Sequence, residues 1–260
     1  FVRFPLIGRT NEYILVWTTT PWTLTSNVAT AVNVGLDYVK LQASDGAIYY
    51  FAKENLEFQR LEKQFNDKKQ WLKGVPKLKT IAQIFKERGG YKILGTVKGS
   101  EMLGWQYEGP FDELDAQSKV GGYPFENDLL KKEGKTGISC HGIIDGGKDS
   151  IGNDVVVAGE GTGIVHIAPG HGLDDFNLAK KNNIEIPQTI DEGGIFYDGI
   201  PLFKGVHVFK VDDKVIEFLK KNKKLLYKKD IFHSYPHSWR SKKPLIFRNT
   251  TQWFISLEKE

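Results

Sequence analysis

The sequence predicts an α+β or closed-barrel fold, built mainly of short strands with a few helices between them. Segments rich in β-branched and aromatic residues, bounded by glycine, asparagine and aspartate, outnumber the segments with helical periodicity. Strands and helices do not alternate regularly, which argues against a doubly wound parallel sheet. The sequence also contains no internal repeat and no low-complexity tract.

Composition limits the classes of protein to consider. With 260 residues, 40% of them hydrophobic, the chain can bury a sizeable core. Its single cysteine, Cys140, excludes an internal disulfide framework and a multi-cysteine zinc site, which is consistent with the cytoplasm. No apolar run reaches the roughly 20 residues of a membrane helix, so we expect no membrane association. The chain starts at Phe1 without a methionine, and we expect it to be a piece of a longer protein.

The first half of the chain is predicted to be rich in strands. A surface helix is expected at 53–66, where leucine and phenylalanine recur among charges, and a strand or short helix at 77–85. Residues 98–111 alternate glycines with large side chains, which indicates a bent sheet edge. Strands are predicted at 12–17, 28–33, 38–42, 47–51 and 91–97.

The second half is less regular. Residues 112–153 are rich in glycine, aspartate and lysine, and we expect loops there with one short helix at 127–133. Regular structure is expected to return at 154–158. A helix is predicted at 174–182, an extended segment at 197–204 and an extended aromatic tail from 233. Asp212 or Asp213 is expected to cap a further helix.

A threonine-rich stretch from Trp17 to Asn27 is the densest motif. The predicted strand delivers Thr18, Thr19 and Thr20 together, and Pro21 then ends it, since proline donates no ladder hydrogen bond. Threonine is common in strands and Thr23 is a plausible turn residue, but this does not explain the whole stretch. We therefore expect the hydroxyl and amide groups to face a cleft that holds a small polar ligand.

A second motif runs from Gly161 to Asp175. Gly161 and Gly163 flank Thr162, which allows the backbone to approach a ligand closely. Further along stand four residues able to bind a metal or to act in acid–base chemistry: His166, His171, Asp174 and Asp175. Pro169-Gly170 breaks any helix between the two histidines, which argues against a metal pair, and a lone histidine is more often a structural residue, just as a carboxylate at a helix start is commonly a cap. The sequence has no Gly-x-Ser-x-Gly elbow and no P-loop, so a covalent hydrolase is not expected.

Lysines cluster near the end of the chain. The net charge of +4 is too small for a dedicated nucleic-acid-binding protein. The cluster fits either contact with a phosphate backbone or a solvated helix face. Its members are Lys214, Lys220, Lys221, Lys223, Lys224, Lys228 and Lys229.

Together, three motifs resemble the editing insertion, or connective peptide 1, of isoleucyl-tRNA synthetases. They are Trp17-Thr-Thr-Thr-Pro-Trp-Thr-Leu-x-x-Asn27, Gly161-Thr-Gly-Ile-Val-His-x-Ala-Pro-Gly-His-Gly-x-Asp-Asp175 and His233-Ser-Tyr-Pro-His-x-Trp-Arg240. They occur in the same order and span nearly the whole chain. Valyl and leucyl enzymes share the threonine-rich peptide but lack the Val-His pair at His166.

The resemblance implies a β-barrel editing domain with peripheral helices, inserted in a class I synthetase of cytoplasmic location. The domain would cover residues 1–260, with a core at about 10–232; residues 1–9 and 233–260 would lead back to an absent catalytic domain. Its reaction would be hydrolysis of the ester that joins valine to the 3′ end of the isoleucine tRNA. A positioned water would attack, without a covalent intermediate, metal or cofactor, while ATP would serve only the parent enzyme's aminoacylation. The fragment would be monomeric.

Residue roles also follow from the resemblance. The threonines Thr18, Thr19 and Thr20 would position ester and water, and Asp175 would bind the free amino group. His166 would border the side-chain slot. The remaining residues would support or approach the substrate: Trp17, Thr23, Asn27, Gly161, Thr162 and Gly163.

The chain departs from the family pattern at several positions. The family usually has Pro-Ala at Thr25-Ser26, Thr at Ile167, and cysteines at Ser238 and Ser241, where a metal pair is therefore not expected. The signature strings of the synthetic site are absent, so aminoacylation is not expected. Three alternatives remain: a valyl- or leucyl-type editing domain, a tRNA-docking module without activity, and a metal-dependent hydrolase using His166, His171 and Asp174.

Overall fold

The computed structural model of the protein describes residues 1–58, 78–112, 114–119, 131–136, 138–184, 186–200, 202–231, 235–250, 252–253 and 255–257. Its strands are β1 (Val2–Pro5), β2 (Glu12–Val16), β3 (Ala29–Val32), β4 (Asp37–Ala43), β5 (Ile48–Ala52), β6 (Tyr91–Lys98), β7 (Ile143–Asp145) and β8 (Val165–Ile167). Its α-helices are α1 (Ile81–Glu87), α2 (Gly99–Met102), α3 (Asp115–Ser118), α4 (Leu173–Lys181) and α5 (Asp212–Lys221). Short 3₁₀ turns lie at Pro21–Ser26, Lys53–Asn55, Ile138–Cys140 and Val208–Lys210.

A five-stranded sheet in the order β1-β2-β5-β4-β6 forms the larger part of the fold. All pairs are antiparallel except β2 with β5. Successive side chains of a strand point to opposite faces, so Ile14 and Val16 pack into one hydrophobic cluster while Leu15 packs into the other. Helix α5 covers the first face and α1 the second. A fully buried side chain of this size contributes roughly 1.5–3 kcal/mol.

A three-stranded sheet in the order β7-β3-β8 carries the rest of the core. β3 pairs with β7 in parallel and with β8 antiparallel, so that Thr30 lies opposite His166. Helix α4 packs on this sheet through Leu178 and Ala179. The packing fixes the first turn of α4 beside the end of β8, which brings the histidine and aspartate ends of the second motif together.

The strand predictions are confirmed to within about two residues. The alternative for 77–85 is decided in favour of a helix, because Thr80 and Gln83 form a reciprocal capping box at the start of α1. The predicted helix at 53–66 begins instead with a 3₁₀ turn at Lys53–Asn55, and residues 59–66 lie outside the described residues. Most of the helix predicted at 127–133 also lies outside the described residues.

Several local predictions are wrong. The bent edge expected at 98–111 contains α2, and 154–158 forms turns with a single bridge at Asp154. Residues 197–200 and 202–204, where an extended segment was predicted, form turns instead, because consecutive i+3 hydrogen bonds close there. Neither Asp212 nor Asp213 is the N-cap of α5; that position belongs to Val211, and both aspartates lie in the first turn.

The α+β class is confirmed, whereas the closed barrel stays a prediction. The strands of the described ranges form two separate hydrogen-bonded sheets, and neither sheet closes on itself. Residues 2–5, expected to lead into the domain, pair as β1 with β2 and are part of the larger sheet. Within the described part of the chain, no helix has the length and apolarity needed to cross a membrane.

Candidate functional site

A cleft of about 590 Å³ opens between the threonine-rich stretch, the segment that includes β8, and the C-terminal tail. Ten of the eleven predicted site residues line it. They are Trp17, Thr18, Thr19, Thr20, Thr23, Gly161, Thr162, Gly163, His166 and Asp175. Two motifs more than 130 residues apart in sequence therefore meet at one site, as predicted.

The three threonines lie where β2 ends and the 3₁₀ turn begins. Thr18 Oγ1 accepts a hydrogen bond of 3.0 Å from the backbone N–H of Thr20, which folds the peptide into a tight turn. Thr18 and Thr20 are half-buried and Thr19 is exposed. Among the described residues, the hydroxyls of Thr19 and Thr20 have no protein hydrogen-bond partner. They are free to bind a ligand or a water in the cleft.

The turn at Pro21–Ser26 is polar and yet almost completely buried, so other segments must satisfy its hydrogen bonds. The Asp212 carboxylate at the start of α5 faces the backbone N–H of Trp22, which opposes the rise that burial causes in the pKa of Asp212. Gln117 Nε2 donates to the carbonyl oxygen of Thr25 over 2.9 Å. The Ser26 hydroxyl lies 2.8 Å from that of Thr189. These contacts fix the threonines from three sides.

Asn27, grouped with the substrate-binding residues and expected to support the pocket, does not itself line the cleft. Its side chain is fully buried, donates to the carbonyl oxygen of Ala29 and accepts from the Tyr107 hydroxyl. His141 Nε2 lies 3.0 Å from its carbonyl oxygen. A carboxamide is needed here because it can donate and accept at once. Asn27 therefore supports the threonine-rich stretch from below.

The Gly161–Gly163 turn is shaped by contacts behind the cleft. Gly163 has a φ of +68°, and a β-carbon there would lie 2.3 Å from Cβ of Ala52 on β5. A β-carbon at Gly161 would lie 3.0 Å from the Trp17 ring. The Thr162 side chain is buried and its hydroxyl bonds to the carbonyl oxygen of Ile164. Close packing against Ala52 and Trp17 explains these glycines, which are buried and line the cleft.

His166 is a neutral wall of the cleft. The Thr23 hydroxyl donates to the carbonyl oxygen of Thr20, so its oxygen accepts from His166 Nε2 at 3.1 Å. Burial lowers the pKa of His166 to about 4, and the neighbouring His171 adds to this. Nδ1 is buried and has no hydrogen-bond partner in the described part of the chain. The ring thus carries no positive charge near pH 7.

Asp175 lies in the first turn of α4 and accepts a hydrogen bond of 2.9 Å from the backbone N–H of Ala168. Burial raises the pKa of Asp175 to about 6; the Ala168 N–H opposes this rise and the charge of Asp174 adds to it. No basic side chain among the described residues forms an ion pair with Asp175. A partly buried carboxylate without a counter-ion favours binding of a cation.

His171 and Asp174 also line the cleft, but the proposed metal set is not assembled. Both His171 nitrogens are engaged: Nε2 lies 3.1 Å from Ser26 Oγ, and Nδ1 lies 3.1 Å from the carbonyl oxygen of Phe247. No group of three metal-ligating side chains occurs within the described ranges. His171 therefore connects parts of the protein and is not open to a metal.

The sequence analysis missed the apolar wall of the cleft. Trp22, Val155, Val157 and Val165 contribute to it, and the tail adds Tyr235, Pro236 and Phe247. The aromatic composition of the tail was the available signal. Its contact with the second motif, however, depends on tertiary structure.

Comparisons with known proteins agree with these motifs. Over 263 residues, the chain is 37% identical to the isoleucine–tRNA ligase of Methanocaldococcus jannaschii; the match covers 100% of this chain and 21% of that protein. It is 34% identical over 261 residues to the isoleucine–tRNA ligase of Petrotoga mobilis, with 100% and 22% covered. The chain thus spans about a fifth of the length of these relatives. No family model matches it.

Solved structures give the fold. A crystal structure described as GlLeuRS-CP1 has a TM-score of 0.52 and 13% sequence identity, and the match covers 88% of this chain and 98% of that one. At this identity the likeness concerns the fold alone. It supports the α+β class.

Proposed function

Because the chain belongs to the isoleucine–tRNA ligase family, of whose members it spans about a fifth, we propose that it is their editing domain. It hydrolyses the ester between valine and the 3′ end of the isoleucine tRNA. The observation that carries the proposal is the position of Asp175: a carboxylate without a counter-ion lies in the same cleft as three threonines. An aminoacyl ester has a cationic amine beside a polar carbonyl, and the cleft offers a complement to both.

Each part of the cleft has one task in this reaction. The Asp175 carboxylate binds the α-ammonium group, and so fixes the neighbouring carbonyl carbon. Thr19 and Thr20 have free hydroxyls, which hold the ester oxygen and the attacking water. Hydrogen bonds held in place before reaction stabilise the developing oxyanion without reorganisation. The water oxygen adds to the carbonyl carbon, and the bond between that carbon and the ribose oxygen breaks. One proton of the water passes to the ribose oxygen, and the other is released to solvent as the valine carboxylate forms.

Selection of valine rests on the apolar wall. His166 is neutral, so it does not repel the ammonium group at Asp175, and its ring narrows the slot together with Val165 and Trp22. One methylene provides only about 1–3 kcal/mol of discrimination, a general figure for which isoleucyl-tRNA synthetase is itself the standard example. A separate site that admits valine but not isoleucine can therefore remove the valine that was attached to the tRNA by mistake.

Partners and cofactors follow from the same proposal. The domain acts on tRNA within a polypeptide that also contains the catalytic domain, and residues 1–260 form one such domain. The hydrolysis uses neither metal nor cofactor, and ATP serves the aminoacylation reaction elsewhere in that polypeptide.

The test compares deacylation of valyl- and isoleucyl-tRNA by this chain and by the full-length enzyme that contains it. We expect hydrolysis of valyl-tRNA, nearly abolished by Asp175→Ala and largely kept by the matched change Asp174→Ala, with binding of uncharged tRNA unchanged in both. Preference for threonyl or isoleucyl esters would point to a valyl- or leucyl-type domain. Binding of tRNA without hydrolysis would favour a docking module. Activity that is lost with a chelator and restored by zinc would favour a metal-dependent hydrolase.

A further inference from the structure

One wall of the cleft is an arm formed by residues 235–249. The arm turns back on itself: His237 bridges Pro244, the N–H of Ser238 donates to the carbonyl of Lys243, and that of Leu245 donates to the carbonyl of Pro236. The base of the arm, at Tyr235, Pro236 and Phe247, lines the cleft. The position of this base therefore determines how wide the cleft is.

The base of the arm is attached to the turn before α4 by two hydrogen bonds. The N–H of Asn249 donates to the carbonyl oxygen of Gly170 over 2.8 Å. Next to it, the carbonyl oxygen of Phe247 accepts from His171 Nδ1 over 3.1 Å. The turn itself is closed by the N–H of His171, which donates to the carbonyl oxygen of Ala168. His171 thus supplies one of two polar contacts at the point where the arm meets the cleft.

The direction of each hydrogen bond along this connection can be assigned. A carbonyl oxygen only accepts, so Nδ1 of His171 carries the hydrogen. Burial lowers the pKa of His171 to about 4, and the neutral ring therefore has a bare Nε2. That nitrogen accepts from the Ser26 hydroxyl at 3.1 Å, and Ser26 Oγ in turn accepts from the Thr189 hydroxyl at 2.8 Å.

The result is a directed chain from Thr189 through Ser26 and His171 to Phe247. Ser26 and Thr189 are fully buried, and the Trp22 ring packs edge-on against the imidazole with the centroids 4.7 Å apart. Ser26 also ends the turn that carries the threonines. The chain therefore connects the threonine side of the cleft with its opposite wall across a single side chain.

We propose that His171 is a positioning residue that sets the width of the cleft by holding the arm at a fixed distance from the threonine turn. One part of this inference rests on the proposed function, namely that the width of the cleft selects which amino acid of the ester is hydrolysed. His171 does not touch the reacting atoms, because both of its nitrogens are occupied by protein groups. Its effect is on which side chain fits.

Hydrogen exchange tests the attachment without any reference to activity. In His171→Phe, which keeps the ring packing on Trp22, we expect the Asn249 amide to exchange about fivefold faster, the change that corresponds to the loss of one hydrogen bond. Ser26→Ala should give a smaller acceleration, and the exposed control Ser100→Ala none. The Leu245 amide reports on the internal fold of the arm, and the Val39 amide reports on the larger sheet. The exchange rates of both amides should stay unchanged.

Two results of this experiment would overturn the attachment. An unchanged Asn249 amide would mean that His171 does not hold the arm. Equal acceleration at Asn249, Leu245 and Val39 would mean that His171 only stabilises the whole fold.

Deacylation tests the second part of the inference. The ratio of isoleucyl- to valyl-tRNA hydrolysis should rise at least about threefold in His171→Phe, within the range that one methylene allows. If the Asn249 amide exchanges faster but the ratio of isoleucyl- to valyl-tRNA hydrolysis does not change, His171 does not control the width of the cleft. If the unaltered protein hydrolyses neither ester, the proposed function fails, whereas the exchange result still decides whether His171 holds the arm.

Discussion

Replacing Asp175 by asparagine should make the protein more stable above pH 7, although it removes a residue proposed to be essential. The pKa of Asp175 is raised from 3.8 to about 6 by burial. A carboxyl with a raised pKa in the folded state favours folding in its protonated form. Its contribution is complete below pH 3.8 and is lost as the pH rises through 6.

The size of the effect follows from this difference. About two pH units correspond to about 3 kcal/mol at most, and the partial exposure of Asp175 to cleft water lowers the expected gain to about 1–3 kcal/mol. Asparagine keeps an oxygen that accepts the N–H of Ala168 and carries no charge. For a chain of this size the gain corresponds to a rise in Tm of roughly 2–10 °C at pH 8.

Denaturant unfolding at pH 4 and pH 8 measures the difference directly. The free energy of unfolding of Asp175→Asn should exceed that of the unaltered protein at pH 8 and approach it at pH 4. Asp174→Asn is the matched control, because Asp174 is exposed in the same helical turn. Equal gains for the two variants, or a loss of stability for Asp175→Asn at pH 8, would refute the account of Asp175 as a destabilising buried charge.

Three further predictions concern other parts of the site. His166→Ala should allow hydrolysis of isoleucyl-tRNA while much of the activity on valyl-tRNA remains; a parallel loss of both rates, or a lower Tm, would assign His166 to structure. Gly163→Ala should cost more than about 2 kcal/mol in the free energy of unfolding, since its φ of +68° and the 2.3 Å approach to Ala52 both oppose a side chain; a stable variant would contradict this packing. Changing exposed lysines to glutamine should weaken tRNA binding and flatten its salt dependence by about one unit of slope for each phosphate that is no longer neutralised, and an unchanged slope would leave them as a solvated face. These lysines are Lys220, Lys221 and Lys223; Lys224 is omitted because its Nζ donates to the carbonyl oxygen of Gly109.

The strands and the two motifs could be predicted because their signals are local. The run of β-branched and aromatic residues in β2 and the stop at Pro21 depend on neighbours in sequence. The capping of α5 could not be predicted in this way. Asp212 resembles an N-cap in sequence, but the backbone of Val211 is already helical, so Val211 is the N-cap and Asp212 lies in the first turn.

The site shows the same division. The density of hydroxyl groups in the threonine-rich stretch indicated a cleft, whereas the place of Asp175 in the same cleft followed only from the family resemblance of the two motifs. Asn27 was expected to support the pocket, but its partners, Tyr107 and the carbonyl oxygen of Ala29, are known only from the structure, where its side chain is fully buried. The contribution of Phe247 to the wall was missed, because it depends on a partner at His171, 76 residues away.

The buried threonine turn has a consequence for how the protein folds. The groups that satisfy it come from far along the chain: Gln117 is 92 residues from Thr25, Thr189 is 163 residues from Ser26, and Asp212 lies in a helix near the end of the domain. Contacts of such high sequence separation form only after the loops between them have closed. The site should therefore be among the last parts to assemble during folding. A shortened chain without α5 would lose the packing of Val215 and Leu219 in the core cluster that contains Trp22, so that complete folding and the proposed hydrolysis would be lost together.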